Sequence, residues 1–383
     1  MESFLELRQH AQISLPTANR TDEEGFADVG RYGIERNAFM IRVGIIGCGK
    51  IAQTRHIPEY MGNPYTEIVG YFDSNHARAA RLAQENGGTA FVSVDALLTD
   101  PTIDAVSICT ANHTHAELSI RALRVGKHVL CEKPMATTLQ DCNAMVAAAN
   151  ETGRILMIDQ NQRLLAAHRK AKELVVAGAI GKILTFRTTF GHSGPESWSV
   201  DGSQSWFFDK KKAAMGALAD LGVHKTDLIQ YLTGSTIVAV NAVTATLDKR
   251  DPAGNPAAVD DNAICIYRMD NGILGTMTAS WTYYGFEDNS TVLYGTEGIM
   301  RIYDKPDAPV QVITKSGETR TYQTDWIQTN DNQTASGVID AFVECIRTGA
   351  EPELSGASVL PAMRAVFAAL EAAETGKNII LEP

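Results

Sequence analysis

This 383-residue chain lacks long apolar runs. A membrane-crossing helix needs ~18 or more consecutive apolar residues, and no such uninterrupted run occurs. It also lacks a basic excess: 34 Lys and Arg stand against 45 Asp and Glu, a net charge of −11. Broad binding to duplex nucleic acid or to an anionic membrane therefore has no electrostatic footprint, and a small-molecule partner is the default. Cysteine is scarce and scattered. The six (Cys48, Cys109, Cys131, Cys142, Cys265 and Cys345) form no C-x-x-C pair. Several sit inside apolar runs, so they read as buried thiols in a reducing compartment, the cytoplasm, and not as disulfides or zinc ligands. No basic segment followed by an apolar core opens the chain, so a secretory signal is not read there. What remains is an average soluble composition, 44% hydrophobic and 21% charged, on a length suited to two domains.

Residues 1–39 mix charge, Asn, Thr and Gly without a sustained period of 2 or 3.6. They read as a flexible N-terminal extension, either an arm or an addition from an upstream start codon. An arm that wraps a neighbouring subunit is the rival reading. Met40 opens a buried strand, and from 40 to 160 short apolar runs alternate with helical stretches. The runs are 41–46, 67–72, 105–108, 128–130 and 155–158. Unalternating apolar runs of this length are parallel strands covered on both faces, so an α/β Rossmann dinucleotide-binding domain is expected.

Its first turn carries Gly47-Cys48-Gly49-Lys50-Ile51-Ala52, a G-x-G-x-x-A between a strand and a helix. Gly47 permits the tight turn, Gly49 lets the backbone approach a pyrophosphate, and Ala52 allows close helix packing. Lys50 and Ile51 belong to the same cofactor-binding turn. Asp73 ends the next strand, where it would bind the ribose hydroxyls and repel a 2′-phosphate. No Arg stands at 74 or 75, so NAD is preferred over NADP.

Two later strand ends carry polar residues. One is Cys131-Glu132-Lys133-Pro134, placed where open α/β sheets bind ligands; Pro134 restricts Lys133 to an extended conformation and could be cis. The other runs from Thr110 through Asn112 to His115. His113 and His115 at i and i+2 invite a metal reading, but no further ligand follows at metal-site spacing, so no metal is expected. Thr110, Asn112, His115 and Glu132 are assigned to the cofactor. Beyond them, residues 215–234 read as a helix whose one stripe holds Gly216, Ala217, Asp220, His224, Asp227 and Tyr231. Small residues there would let a ligand approach. Asp220 and His224 at i,i+4 would hydrogen-bond, the acid orienting the imidazole.

Taken together, the glycine turn, the Glu132-Lys133-Pro134 triplet and the Asp220-x-x-x-His224 helix resemble the Gfo/Idh/MocA oxidoreductases over roughly residues 40–383. That resemblance implies Lys133 as the catalytic-site lysine, Asp220 as the substrate-positioning acid and His224 as the proton-transferring histidine. Lys133, Asp220 and His224 are accordingly expected at the substrate as well, with Asn161, Arg163 and Trp206. The implied reaction is hydride transfer between NAD and a secondary hydroxyl of a cyclic polyol such as an inositol, sugar or glucoside. An NAD-dependent glycosidase with transient oxidation and a non-enzymatic dinucleotide-binding regulator are the alternatives.

From 161 to 383 an α+β substrate-binding and oligomerisation domain with a predominantly antiparallel open sheet is expected. Strand-like runs at 183–190, 237–247, 262–269, 273–282 and 291–294 include a hairpin signal at Asp270-Asn271-Gly272. The loop 191–212 brings Trp198, Asp201, Trp206 and Phe207, the stacking ring and hydroxyl-binding acid that sugar recognition needs, and Trp281 with Tyr283 and Tyr284 could extend that wall. One sheet face needs covering, so a homodimer or homotetramer is expected. A last helix over 357–375 is expected beside the domain junction.

Overall fold

A computed structural model describes residues 40–251, 253–305, 307–324 and 335–382. The expectations for residues 1–39 lie outside the described residues. Six strands make the first sheet: β1 (Ile41–Ile46), β2 (Thr66–Phe72), β3 (Thr89–Ala90), β4 (Ala105–Ile108), β5 (His128–Cys131) and β6 (Leu156–Ile158). They lie in the order β3-β2-β1-β4-β5-β6 with every pairing parallel. The strand order reverses between β1 and β4, and a crevice opens beyond their carboxyl ends. Val43, Ile45, Ile46, Val106, Ile108 and Val129 are buried, because helices cover both faces. Local chemistry starts the crossover helices on time. The Thr138 hydroxyl accepts the Asp141 N–H at 3.0 Å to cap helix Leu139–Thr152, worth about 1 kcal/mol.

Nine strands make the second sheet: β7 (Ile183–Gly191), β8 (Ile237–Ala245), β9 (Asn262–Met269), β10 (Leu274–Ser280), β11 (Thr291–Gly295), β12 (Gly298–Lys305), β13 (Ala308–Thr314), β14 (Thr319–Tyr322) and β15 (Ile379–Ile380). Their order is β14-β13-β12-β11-β7-β10-β9-β8-β15, antiparallel except for the parallel pair β7 and β10. The hairpin forms where its turn chemistry places it: Gly272 adopts φ +88°, and the Met269 N–H reaches the Ile273 carbonyl at 2.9 Å. Helices Val223–Thr233 and Gly356–Thr375 pack on one face of this sheet. The other face shows Val243, Ile264 and Ile266 at 69%, 56% and 53% exposure.

The C-terminal stretch serves both sheets. Helix Val338–Thr348 puts Phe342 and Val343 into the cluster that contains Ile41, Val43 and Tyr60 of the first domain. The Leu354 carbonyl accepts the Ile158 N–H at 2.9 Å, extending the edge at β6. A division after residue 160 therefore separates the two sheets but not all of their helices. Helix Gly356–Thr375 is the one described helix long and apolar enough to cross a membrane, and half of it is buried inside the fold. It touches β8, β6 and helix Leu139–Thr152, which places it at the junction as expected. All six cysteines are free thiols, five of them buried.

Candidate active site

A cleft of about 730 Å³ runs along the seam between the two sheets. Its nucleotide end is the turn after β1. A Cβ on Gly47 would meet the Cys109 backbone at 2.6 Å, and its φ of +92° suits glycine alone. A Cβ on Gly49 would meet nothing within 4 Å, since that position faces the open cleft. Backbone can be approached there, as a pyrophosphate requires. Asp73 closes the turn: its carboxylate accepts the Cys48 N–H at 2.8 Å and the Asn75 N–H at 2.7 Å. Each oxygen keeps lone pairs for ribose hydroxyls, so the residues present fit a dinucleotide. Lys50, Ile51, Thr110 and Asn112 also line the cleft, and the Asn112 amide donates to the Ala213 carbonyl at 2.9 Å.

His115 does not reach this cleft. It is fully buried, with its ring nitrogens 2.8 Å and 3.0 Å from the Pro134 and Thr110 carbonyls. Burial holds its pKa below the usual value, so the neutral ring has a single N–H to donate. It braces two cofactor-side loops from behind, in place of the direct contact expected of it.

Lys133 and Asp220 meet at the centre of the cleft. The Lys133 ammonium donates to Asp220 Oδ1 at 2.8 Å and to the Asp220 carbonyl at 3.0 Å, and the Lys133–Pro134 peptide is cis. Asp220 Oδ2 accepts the Trp281 indole N–H at 3.0 Å and lies 4.0 Å from His192 Nε2. Burial alone would raise the Asp220 carboxyl, but Lys133, His192 and Trp281 outweigh it and hold it below the usual range. Asp220 does not bind His224, although the helical spacing would allow it. Its oxygens are taken by the Lys133 ammonium and the Trp281 indole, and the first of these is the stronger, charge-assisted partner.

His224 instead presents Nδ1 to Gln160 Oε1 at 3.0 Å. The amide oxygen fixes the proton on Nδ1 and leaves Nε2 as the basic nitrogen of a residue that lines the cleft. Burial, then the charge of Lys133, keeps its pKa well below the ordinary value, so it stands neutral as a base. Gln160 was missed from sequence. It lies two residues past β6, on the same strand-end logic that points to Lys133, but an uncharged amide draws no attention. His192, one residue past β7, is a second residue that the sequence does not point to, because nothing local shows that it faces Asp220.

Beneath Lys133 lies a buried charged cluster. His56 Nε2 is 3.0 Å from Glu132 and 3.6 Å from Asp159, and Arg55 is 3.8 Å from Asp159. Burial opposes the charge on His56, but Cys109, Asp159 and Glu132 overcome it and hold its pKa well above the usual value. Burial likewise opposes the Glu132 charge, and His56 draws its pKa down. Glu132 lines the cleft and also accepts the Lys133 N–H at 3.2 Å, so the cluster sets the backbone that carries the lysine.

The helix that carries Asp220 and His224 begins as a π-turn, Leu218–Gly222, and continues as Val223–Thr233. Its small residues answer a different need from ligand approach. The Asp260 carboxylate accepts the Gly216 and Leu218 N–H groups at 2.7 Å and 2.8 Å, and a Cβ on Gly216 would lie 1.8 Å from the Asp260 carbonyl oxygen. The helix is buried on all sides along Val223–Ile229, so its polar stripe is internal.

Asn161 and Trp206 line the cleft, as expected. Trp206 stacks on Phe207 at 4.0 Å, and Trp198 meets Phe207 edge-on at 5.2 Å, giving an aromatic wall. Trp281 is fully buried and acts on Asp220, not as wall. Arg163 also departs from expectation. It is buried away from the cleft in a bidentate pair with Asp227, and its guanidinium further donates to the Glu353 and Ser358 carbonyls. It clamps helix Val223–Thr233 to the start of helix Gly356–Thr375, because a buried Asp227 needs a counter-charge within reach.

A parallel sheet with a glycine turn, and a lysine, an acid and a histidine at the seam, define a dinucleotide-dependent oxidoreductase. Residues 41–160 match the NAD-binding Rossmann fold of the Gfo/Idh/MocA oxidoreductase family, and residues 168–301 match the Gfo/Idh/MocA C-terminal domain. The chain is 30% identical over 334 residues to dTDP-3,4-didehydro-2,6-dideoxy-alpha-D-glucose 3-reductase of Actinomadura kijaniata, covering 84% of this chain and 90% of that protein. It is 35% identical over 250 residues to levoglucosan dehydrogenase of Pseudarthrobacter phenanthrenivorans, spanning 60% of this chain and 62% of that protein. A solved levoglucosan dehydrogenase in complex with NADH and levoglucosan superposes with a TM-score of 0.79 at 28% identity, over 89% of this chain and 99% of that one. The chain belongs to the Gfo/Idh/MocA oxidoreductase family.

Proposed function

We propose that this protein is an NAD(H)-dependent dehydrogenase that interconverts a secondary hydroxyl of a cyclic polyol, an inositol, sugar or glucoside, and the corresponding ketone. The observation that carries the reading is the seam itself: an ammonium and a neutral imidazole face one cleft, each fixed by a separate buried partner. When bound, NAD supplies the hydride acceptor. Gly47, Gly49, Lys50, Ile51, Asp73, Thr110 and Asn112 hold it, and Asp73 favours the free ribose over a 2′-phosphate. Glu132 bears on the cofactor side of the site and orients Lys133.

Lys133 donates to the reacting oxygen and stabilises its alkoxide character; His224 Nε2 takes the hydroxyl proton. Asp220 positions the lysine and a neighbouring hydroxyl, while Asn161 and Trp206 shape the substrate pocket. Residues 40–160 then form the nucleotide half, and the second sheet forms the substrate half. The exposed apolar face around Val243, Ile264 and Ile266 suits a second copy of the chain, giving a homodimer or homotetramer. The buried free thiols suit a reducing, cytoplasmic setting.

Levoglucosan, myo-inositol, scyllo-inositol, glucosides and free aldoses, each offered with NAD, test the reading through NADH formation. At least one cyclic secondary alcohol should support turnover. Failure of all of them, with 3-ketosugars also failing to oxidise NADH, would remove it.

A further inference from the structure

The ribose end of the cleft contains an arginine that its local sequence does not advertise. Arg78 lies five residues after Asp73, in helix His76–Asn86, and turns back towards the strand end. Its Nη1 is 3.5 Å from Asp73 Oδ2, and its Nη2 is 3.0 Å from Asp201 Oδ1. Asp73, Arg78 and Asp201 all line the cleft. An arginine near the ribose acid is the group that dinucleotide sites use to accept a 2′-phosphate. Here that guanidinium is shared by two carboxylates, one from each half of the protein. The next arginine along the helix, Arg81, is held by Glu85 and Gln53.

Asp201 has no local task that would explain its side chain. It precedes the short 3-10 turn Gly202–Gln204 without capping it, and Arg78 is its ion-pair partner. The sugar-binding role expected of this acid places it at the wrong end of the cleft. Rim-exposed acids of this kind contribute little to stability but change which charges can approach a site.

We propose that Asp201 is a cofactor-specificity residue: reaching across from the substrate half, it occupies Arg78 and makes the ribose pocket reject a 2′-phosphate. A 2′-phosphate would meet Asp73 at close range with the guanidinium already engaged, in a neighbourhood of two acids and one base. Without Asp201 the guanidinium is free to turn to the phosphate, and the neighbourhood becomes neutral. The effect acts through Arg78, so it vanishes when Arg78 is absent. The proposal rests on the NAD reading above and refines it.

The test is equilibrium binding of NADH and NADPH to the full chain, followed by nicotinamide fluorescence, for wild type, Asp201→Ala, Arg78→Gln and the double variant. This readout needs no sugar substrate. Asp201→Ala should improve the affinity for NADPH relative to NADH on the order of ten-fold, because the released guanidinium can make a charge-assisted contact with the phosphate. In the Arg78→Gln background the same substitution should change that ratio by less than about two-fold. A wild type that binds NADH, combined with a ratio that ignores Asp201→Ala, overturns the proposal alone. So does an equal gain in both backgrounds, which would assign the effect to general charge. Binding of neither dinucleotide to wild type would overturn the NAD reading and the proposal with it.

Discussion

Replacing Gln160 by Glu should move the pH dependence of catalysis in a direction that follows from the His224 environment. In the native site burial and Lys133 depress the imidazole pKa. The neutral base is therefore present at neutral pH and is lost only as pH falls through that low pKa. Gln160 is fully buried with its amide oxygen 3.0 Å from Nδ1. A carboxylate at that distance favours the imidazolium and should raise the pKa by about 1–3 units. The acid limb of kcat/KM must then shift upward by at least about one unit, while rates at high pH converge on wild type. Gln160→Leu makes the complementary test. It leaves a buried N–H unpaired, a cost of about 1–3 kcal/mol, and should lower kcat/KM about 5- to 150-fold, with the fall carried by kcat. Initial rates of NADH formation across pH, with a substrate selected by the polyol panel, measure both. An acid limb in Gln160→Glu that superimposes on wild type would refute the assignment of Gln160 as the group that sets the His224 tautomer.

Lys133→Met should reduce turnover by at least about a thousand-fold while NADH still binds, since the donor to the reacting oxygen is removed and the glycine turn is untouched; fluorescence titration beside rate measurement checks it. Arg163→Ala should cost about 3–5 kcal/mol by leaving Asp227 buried without its counter-charge, seen as a lower Tm, whereas a substrate-binding role would raise KM without changing Tm. Lys225 is fully buried; burial, only partly offset by Asp288 and Glu287, lowers its pKa to about 7. The unfolded chain therefore binds more protons between about pH 7 and 10, so the penalty for burying Lys225 is complete below that window, fades through it and is absent above it. Lys225→Met should raise Tm by most at neutral pH and by progressively less towards about pH 10, with about 5 kcal/mol as the upper limit of the gain. A gain that does not depend on pH would contradict this.

The parts of the site legible in the sequence are those where chain order and position in the sheet are linked. Glu132 and Lys133 follow a buried strand directly, and Gly47 and Gly49 stand between a strand and a helix, so local order alone puts them at the crevice. The outline of both sheets follows in the same way from apolar runs and from the Asn271-Gly272 turn. Residues whose role depends on a distant partner were misread. Arg163 looks like a ligand to a substrate until Asp227, 64 residues on, is seen to claim it. His115 looks like a cofactor contact until two carbonyls enclose it. Asp201 reads as a sugar-binding acid because nothing local reveals Arg78 across the cleft. The strands β12–β14 were not among the runs read from sequence, and of them only β14, four residues at the sheet edge with Arg320 in it, is the short charged edge strand that blunts alternation. Helix Val338–Thr348 carries an i, i+4 apolar stripe of Val338, Ile339, Phe342 and Val343, but the sequence does not show that this stripe packs on the first domain, nearly three hundred residues earlier.

The central claim is hydride transfer between a ring carbon and nicotinamide at the seam, and isotope tracing measures it most directly. A substrate deuterated at its reacting carbon should deliver the label to nicotinamide C4, with one ketone and one NADH formed per turnover, and Lys133→Met should deliver none. Deuterium retained in a cleaved sugar without net NADH would contradict the account and favour a glycosidase with transient oxidation.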